Sequence, residues 1–189
     1  PEIRRDAAEL ASGRVTSSGG GSVSVSTRPT AGLAMSDVLM RSSSSALFRS
    51  SPIGQTNVSF ASRMGDGDWS GYDRVLSAGD LTGDRRGDVL ARQRGTGQLH
   101  LYRGTSAGEL SGPRNLGAGW GGYSIFTGGG DLTSDGKPDL LAVNARTGHL
   151  TLFKGTGSGP FAAPVSLGRG WGGFRHVVAL GDWDGDRFG

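Results

Sequence analysis

Trp69, Trp120 and Trp171 stand 51 residues apart, and so do Asp80, Asp131 and Asp182. Laid on each other without a gap, 69–119 and 120–170 share 22 identities in 51 positions. No other feature constrains the fold as tightly, because a chain that repeats at a fixed period builds one small unit several times and buries the face of each against the next. The segments DVLMR (37–41), DVLAR (88–92) and DLLAV (139–143) keep the same spacing. The copies run over about 18–68, 69–119, 120–170 and, incomplete, 171–189. The first is decayed: Pro29 and Leu33 stand where the second has Asp80 and Asp84, and only Asp37 survives. Residues 1–17 fall outside the repeat. Pro1 could open a short helix that stops at Gly13, and SSGGGS follows as a flexible joint, so 1–17 is read as a linker arm.

Within one copy every signal is β. In 120–170, YSIFTG alternates, an acidic loop follows, DLLAVNA turns at RTG into HLTLFKG, and a Gly- and Pro-rich loop leads to VSLGRG. Short apolar or alternating runs bounded by glycine turns are hairpin signals, and they give four short strands per unit with nothing helical. The 36 glycines of the 189 residues serve those turns rather than a collagen period. Four strands every 40–50 residues or so is the arithmetic of a β-propeller blade, whereas a sandwich needs roughly 100 residues per unit. The predicted fold is therefore all-β, a propeller of four-stranded antiparallel blades spanning 18–189, with about three and a half blades of a ring of about seven. The chain stops inside an acidic loop, and Pro1 is not a natural start. The expectation is an excerpt of a longer chain whose leader is gone, with the rest of the ring supplied by the same chain or another.

The acidic loop follows the first strand of each unit. Counted from its first aspartate, it places carboxylates at 1, 5 and 9, a further side-chain oxygen at 3 and a carbonyl at 7. These are Asp80, Thr82, Asp84, the Arg86 carbonyl and Asp88 in one copy, and Asp131, Thr133, Asp135, the Lys137 carbonyl and Asp139 in the next. The last copy offers Asp182, Asp184, Asp186 and the Phe188 carbonyl. Calcium takes six to eight hard oxygens at about 2.3–2.6 Å from a loop that can curl, and an all-oxygen set favours it over zinc or copper. Magnesium, with its stricter octahedron, is second. The alternative is that the aspartates only cap turns through their own hydrogen bonds to the backbone.

The pattern D-x-[TD]-x-D-x-x-x-D-[VL]-L, with its flanking strands, resembles the FG-GAP or VCBS-type repeat, the family of the calcium-binding blades of integrin alpha-chain propellers and of many bacterial secreted proteins. The resemblance covers about 18–189 and is strongest from 69 onward. It implies that the loop links two adjacent strands of one blade, that its metal is structural, and that the ligand roles carry over to the residues named above.

Composition narrows the function. The absence of cysteine excludes a disulfide framework and Cys-based zinc or nucleophile chemistry. No apolar run approaches the ~18 residues of a membrane span. A pI of about 9.8 invites nucleic acid, but the arginines are spread singly with no interleaved aromatics, so none is expected as a partner. His100, His149 and His176 occupy non-equivalent positions of the repeat, and no nucleophile elbow occurs, so catalysis is not expected. The expected function is recognition by a secreted module, of glycans on a cell surface or wall. Protein adhesion, or service as an accessory domain of a secreted hydrolase, are the alternatives. Trp69, Trp120 and Trp171, each ahead of a small residue and a glycine, are candidate sugar platforms, with packing between units as the competing role.

Overall fold

The computed structural model describes residues 68–128 and 130–179, together with the backbone of strands β1 (Val23–Val25), β2 (Val38–Arg41), β3 (Leu47–Ile53) and β4 (Asn57–Arg63). The 1–17 arm, Asp37 and the third acidic loop lie outside the described residues. The chain divides into two compact units, 1–70 and 71–189. In the first, β1 to β4 pair antiparallel in chain order, with Val23 opposite Met40 and Met40 opposite Phe48.

The second unit holds two further four-stranded antiparallel sheets, each a meander. One is β5 (Tyr72–Gly79), β6 (Asp88–Gln93), β7 (Leu99–Gly104) and β8 (Leu110–Asn115). The other is β9 (Tyr123–Gly128), β10 (Leu140–Asn144), β11 (Leu150–Phe153) and β12 (Val165–Gly168). These all-β sheets are consistent with propeller blades. The period-2 pattern sets which side chains face inward. Leu76, Ala78, Leu90, Leu99 and Leu101 from the first sheet meet Trp120, Leu140, Ala142 and Phe153 from the second in one core. Each such leucine removed from water contributes about 1.5–3 kcal/mol.

The two sheets touch backbone to backbone at both ends of the core. A Cβ built on Gly128 in β9 would lie 2.6 Å from the Ser77 carbonyl oxygen of β5, so the innermost strands approach as closely as they do only because Gly128 has no side chain. At the opposite end, the Trp-Gly-Gly segments form short 3-10 turns, Trp120–Gly122 and Trp171–Gly173. Each docks on the hairpin turn before it: Trp120 N–H donates to the Gly97 carbonyl at 3.2 Å, and Trp171 N–H to the Gly148 carbonyl at 3.0 Å. Gly97 sits at φ +64, with the Gly121 backbone 2.7 Å from where its Cβ would be. Gly121 thus faces Gly97 where two stretches of main chain meet.

Both acidic loops, 80–88 and 130–139, and the long loop 154–164 lie at one end of the sheets, the loop end. The hairpins 93–98 and 144–149 and both 3-10 turns lie at the other, the turn end.

Candidate functional site

Each acidic loop is curled by two residues in the left-handed region, at the fourth and sixth positions: Gly83 (φ 77) and Arg85 (φ 66) in one, Ser134 (φ 58) and Gly136 (φ 82) in the other. Each loop fills one position with glycine, which takes this conformation freely, and the other with a residue that does so at a cost of about 1–2 kcal/mol. The first aspartate nucleates the curl. Asp80 accepts N–H bonds from Gly83 at 2.7 Å, Asp84 at 3.0 Å and Arg85 at 2.5 Å. Asp131 accepts them from Asp135 at 3.0 Å and Gly136 at 2.6 Å.

The ninth position ties the loop to the sheet. Asp88 is fully buried and accepts from Thr82 N–H at 3.0 Å and Gly104 N–H at 3.1 Å. Asp139, also buried, accepts from Leu132 and Gly155 N–H, both at 3.0 Å. Burial pushes the Asp88 carboxyl above its ordinary range, against the pull of the Gly104 and Thr82 N–H groups. The fifth position faces outward to cations. Asp84 meets the Arg86 guanidinium at 3.3 Å and Arg103 at 3.2 Å, while Asp135 meets Lys137 at 3.7 Å. Desolvation opposes ionisation of Asp84, but the Arg86 N–H and the two guanidiniums outweigh it and hold its carboxyl below the ordinary range.

Among the described residues, no three carboxylate or imidazole side chains stand close enough together to share an ion. The turn-capping role weighed against metal is thus visible in the hydrogen bonds. Two atoms remain outside that scheme. The hydroxyls of Thr82 and Thr133, the third-position oxygens, are buried without a hydrogen-bond partner. A buried hydroxyl left unsatisfied costs about 1–3 kcal/mol, and its recurrence at the same place in both loops marks a position suited to a hard cation. The donors of the two loops are all oxygen, the kind that calcium takes.

Of the three tryptophans, Trp69 and Trp120 are only 3% and 8% exposed, and Trp120 belongs to the core. Neither offers an open indole face, and packing is the role their burial fits; Trp171 is partly buried beside Phe174, with ring centroids 5.7 Å apart. A cleft of about 370 Å³ is lined by Trp120, Tyr123, Phe153, Phe161, Pro160 and Leu116 among others. Phe161 and Pro160 come from the loop after β11, whose glycines and prolines signal a turn and conceal that it carries an aromatic wall. Tyr102 is part-buried, and its hydroxyl meets that of Tyr72 at 2.6 Å.

Sequence reasoning passed over Arg92, the last residue of DVLAR. Its guanidinium is buried, holds the Asp73 carboxylate at 2.9 and 2.7 Å, and donates to the carbonyls of Trp120 (2.9 Å) and Tyr123 (2.5 Å). It also lies 5.2 Å from the centroid of the Phe126 ring. One side chain thus latches β5 and β6 to the start of the second sheet. The equivalent position in the next copy is Val143, so the latch is not repeated.

No histidine among the described residues is oriented by a carboxylate. His100 bonds the Tyr72 hydroxyl, and His149 lies between Ser166 and Arg169. Residues 131–188 match the family model of the FG-GAP-like repeat, which supports an FG-GAP-type repeat protein. Repeat domains of this kind are generally non-catalytic. No curated protein matches the chain.

Proposed function

We propose that this chain is a non-catalytic, calcium-stabilised recognition module of a secreted bacterial protein, and that it binds glycans of a cell surface or wall. The sheets are read as blades on a 51-residue repeat, within a seven-bladed ring completed by more of the same chain or by another. The observation that carries the recognition reading is the aromatic cleft. Its volume of about 370 Å³ falls within the range of small-ligand sites, and its rings suit the apolar face of a pyranose. An array of neutral and charged glycans, probed once in calcium and once in EDTA, tests it. Saturable binding that Phe161→Ala weakens at least 5-fold is expected; no binding by folded protein would sink it.

Calcium enters as a stiffener of the loop end. Asp80, Thr82, Asp84, the Arg86 carbonyl and Asp88 would hold one ion, and Asp131, Thr133, Asp135, the Lys137 carbonyl and Asp139 a second. Bound there, the ion would supply positive charge to crowded carboxylates and a partner to the orphaned threonine hydroxyls. The loops already curl through their own N–H bonds, so calcium would add to a preformed shape. A ligand at 100 times its dissociation constant stabilises by about 2.7 kcal/mol, and for a chain of this size each kcal/mol moves the melting midpoint about 2–4 °C. With two such ions, saturating calcium is thus expected to raise the midpoint by about 10–20 °C, and magnesium by less. An unchanged midpoint would refute calcium binding.

A second reading, a protein-adhesion module, draws on β12. Its Val165 and Leu167 are 44% and 48% exposed on an edge strand, a surface suited to a protein partner.

A further inference from the structure

The arginines that look scattered along the sequence are sorted by the fold. Between 71 and 179, every carboxylate except Asp73 lies in or beside the loops of the loop end, where Arg85, Arg86, Arg103, Arg114, Lys137 and Lys154 are interleaved with them. Among the described residues the turn end has two carboxylates, Asp73, which Arg92 holds, and Asp68 just ahead of β5, which accepts from the Ser70 N–H and hydroxyl. What remains there is of one sign. Arg94 and Arg146 stand on the two hairpin turns, and Arg169 and Arg175 flank the second 3-10 turn; all four are exposed. None of them makes an ion pair with a described residue.

These positions form one continuous strip. The hairpin of Arg94 receives the first 3-10 turn through Gly97; Ala145 N–H, beside Arg146, donates to the Gly122 carbonyl of that turn at 2.8 Å; and the hairpin of Arg146 receives the second 3-10 turn through Gly148. Arg169 is drawn onto the same hairpin by its Nε–H bond to His149 Nε2 at 2.7 Å. A rigid backbone ladder therefore carries unpaired guanidiniums along one end of both sheets. A field of one sign on a fixed surface attracts an extended chain of the opposite charge.

We propose that the turn end binds an acidic polysaccharide, a glycan chain carrying uronate, phosphate or sulfate groups along its length. This rests on the glycan-binding reading above and assigns it a second surface, opposite the acidic loops and bordering the aromatic cleft at Gly119 and Trp120. A glycan is favoured over a nucleic acid by the turns themselves. The two hairpin turns, 93–98 and 144–149, present hydroxyl and amide groups (Thr96, Gln98, Thr147) suited to sugar hydroxyls and carry no Trp, Tyr or Phe; Phe174, 57% exposed beside the second 3-10 turn, offers a ring to a sugar face or a base, and the DNA arm below separates the two.

The test uses the full chain with polygalacturonate as the probe, and neutral dextran, polyglutamate and duplex DNA beside it. Two variants remove the same charge from opposite ends: Arg94→Gln with Arg146→Gln, and Arg85→Gln with Lys154→Gln. Binding to polygalacturonate should fall steeply as salt rises, because neutralising a polyanion releases its counterions. The turn-end pair should weaken it at least 5-fold and the loop-end pair less than 2-fold, with both variants melting like the parent. Equal losses from the two pairs, or no loss from either, would overturn the assignment of this surface. Polyglutamate or DNA binding as tightly as polygalacturonate would overturn the glycan as its ligand. Dextran binding unaffected by the turn-end pair would overturn the acidic-polymer proposal and leave the glycan reading standing.

Discussion

Replacing Arg92 with alanine should destabilise the two-sheet unit by about 3 kcal/mol, the lower end of the range for breaking a buried ion pair. The lower end applies because the Asp73 side chain keeps 30% of its surface in water and is partly resolvated when its partner goes. The carbonyls of Trp120 and Tyr123 lose their donor at the same time. At about 2–4 °C per kcal/mol, the melting midpoint falls by roughly 10 °C. A double-mutant cycle with Asp73→Asn isolates the pair, and a loss below 1 kcal/mol for Arg92→Ala would mean that the latch is ornamental. Acid offers a second readout. The hydrogen bonds from Arg92 are the main cause holding the Asp73 carboxyl below its ordinary value of 3.8; desolvation opposes them, and the charges of Arg92 and Arg74 add to them. Its stabilising contribution is therefore complete above that value and disappears as pH falls through the lower folded-state value. The stability gap between parent and Asp73→Asn should be flat at neutral pH and close in that acid window.

Gly128→Ala is expected to cost about 3 kcal/mol, the upper end for overpacking, although it adds a single methyl group. The new Cβ would stand 2.6 Å from the Ser77 carbonyl oxygen and 3.3 Å from the Ala78 Cα, and neither is a flexible side-chain tip that could move aside. Relief requires β5 and β9 to separate, which loosens the core formed by Leu76, Ala78, Leu140 and Ala142. Gly173→Ala, with nothing within 4 Å of the added carbon, is the matched control and should stay within about 0.5 kcal/mol of the parent. Chemical denaturation of the two variants side by side decides the matter. Equal midpoints would show that the sheets are not in the close contact described.

The strands were legible because their signals are local. Alternation in YSIFTG and the apolar run in DVLAR need only neighbours a few residues away, and β5 to β7 and β9 to β12 lie where such patterns put them, whereas β8 (Leu110–Asn115) starts four residues ahead of the place the 51-residue spacing from β12 gives it. The curl of the acidic loops was legible for the same reason, since first-position aspartates and glycines act within five residues. The fate of the ninth aspartate was not. Asp88 and Asp139 are buried under N–H groups of Gly104 and Gly155, sixteen residues downstream, and nothing in the loop spacing names those partners. Arg92 was missed for a related reason: an arginine closing an apolar strand ordinarily marks the return to solvent, and only the fold brings Asp73 and two carbonyls to it. Charge was the least legible property. Single arginines at 94, 146, 169 and 175 suggest a diffuse basic surface until antiparallel pairing sends them to one end and most of the carboxylates to the other.

The glycine-to-glycine docking at 97 and 121, and at 148 and 172, has an evolutionary consequence. Successive units meet there main chain to main chain, with Arg92 adding a side-chain tie to the first 3-10 turn, so the exposed side chains of the hairpin turns carry no share of the fastening. Residues such as Arg94, Thr96, Arg146 and Thr147 are free to drift while the architecture stays fixed. A lineage built on this repeat can therefore change what its exposed end recognises one turn at a time, without reinventing its fold.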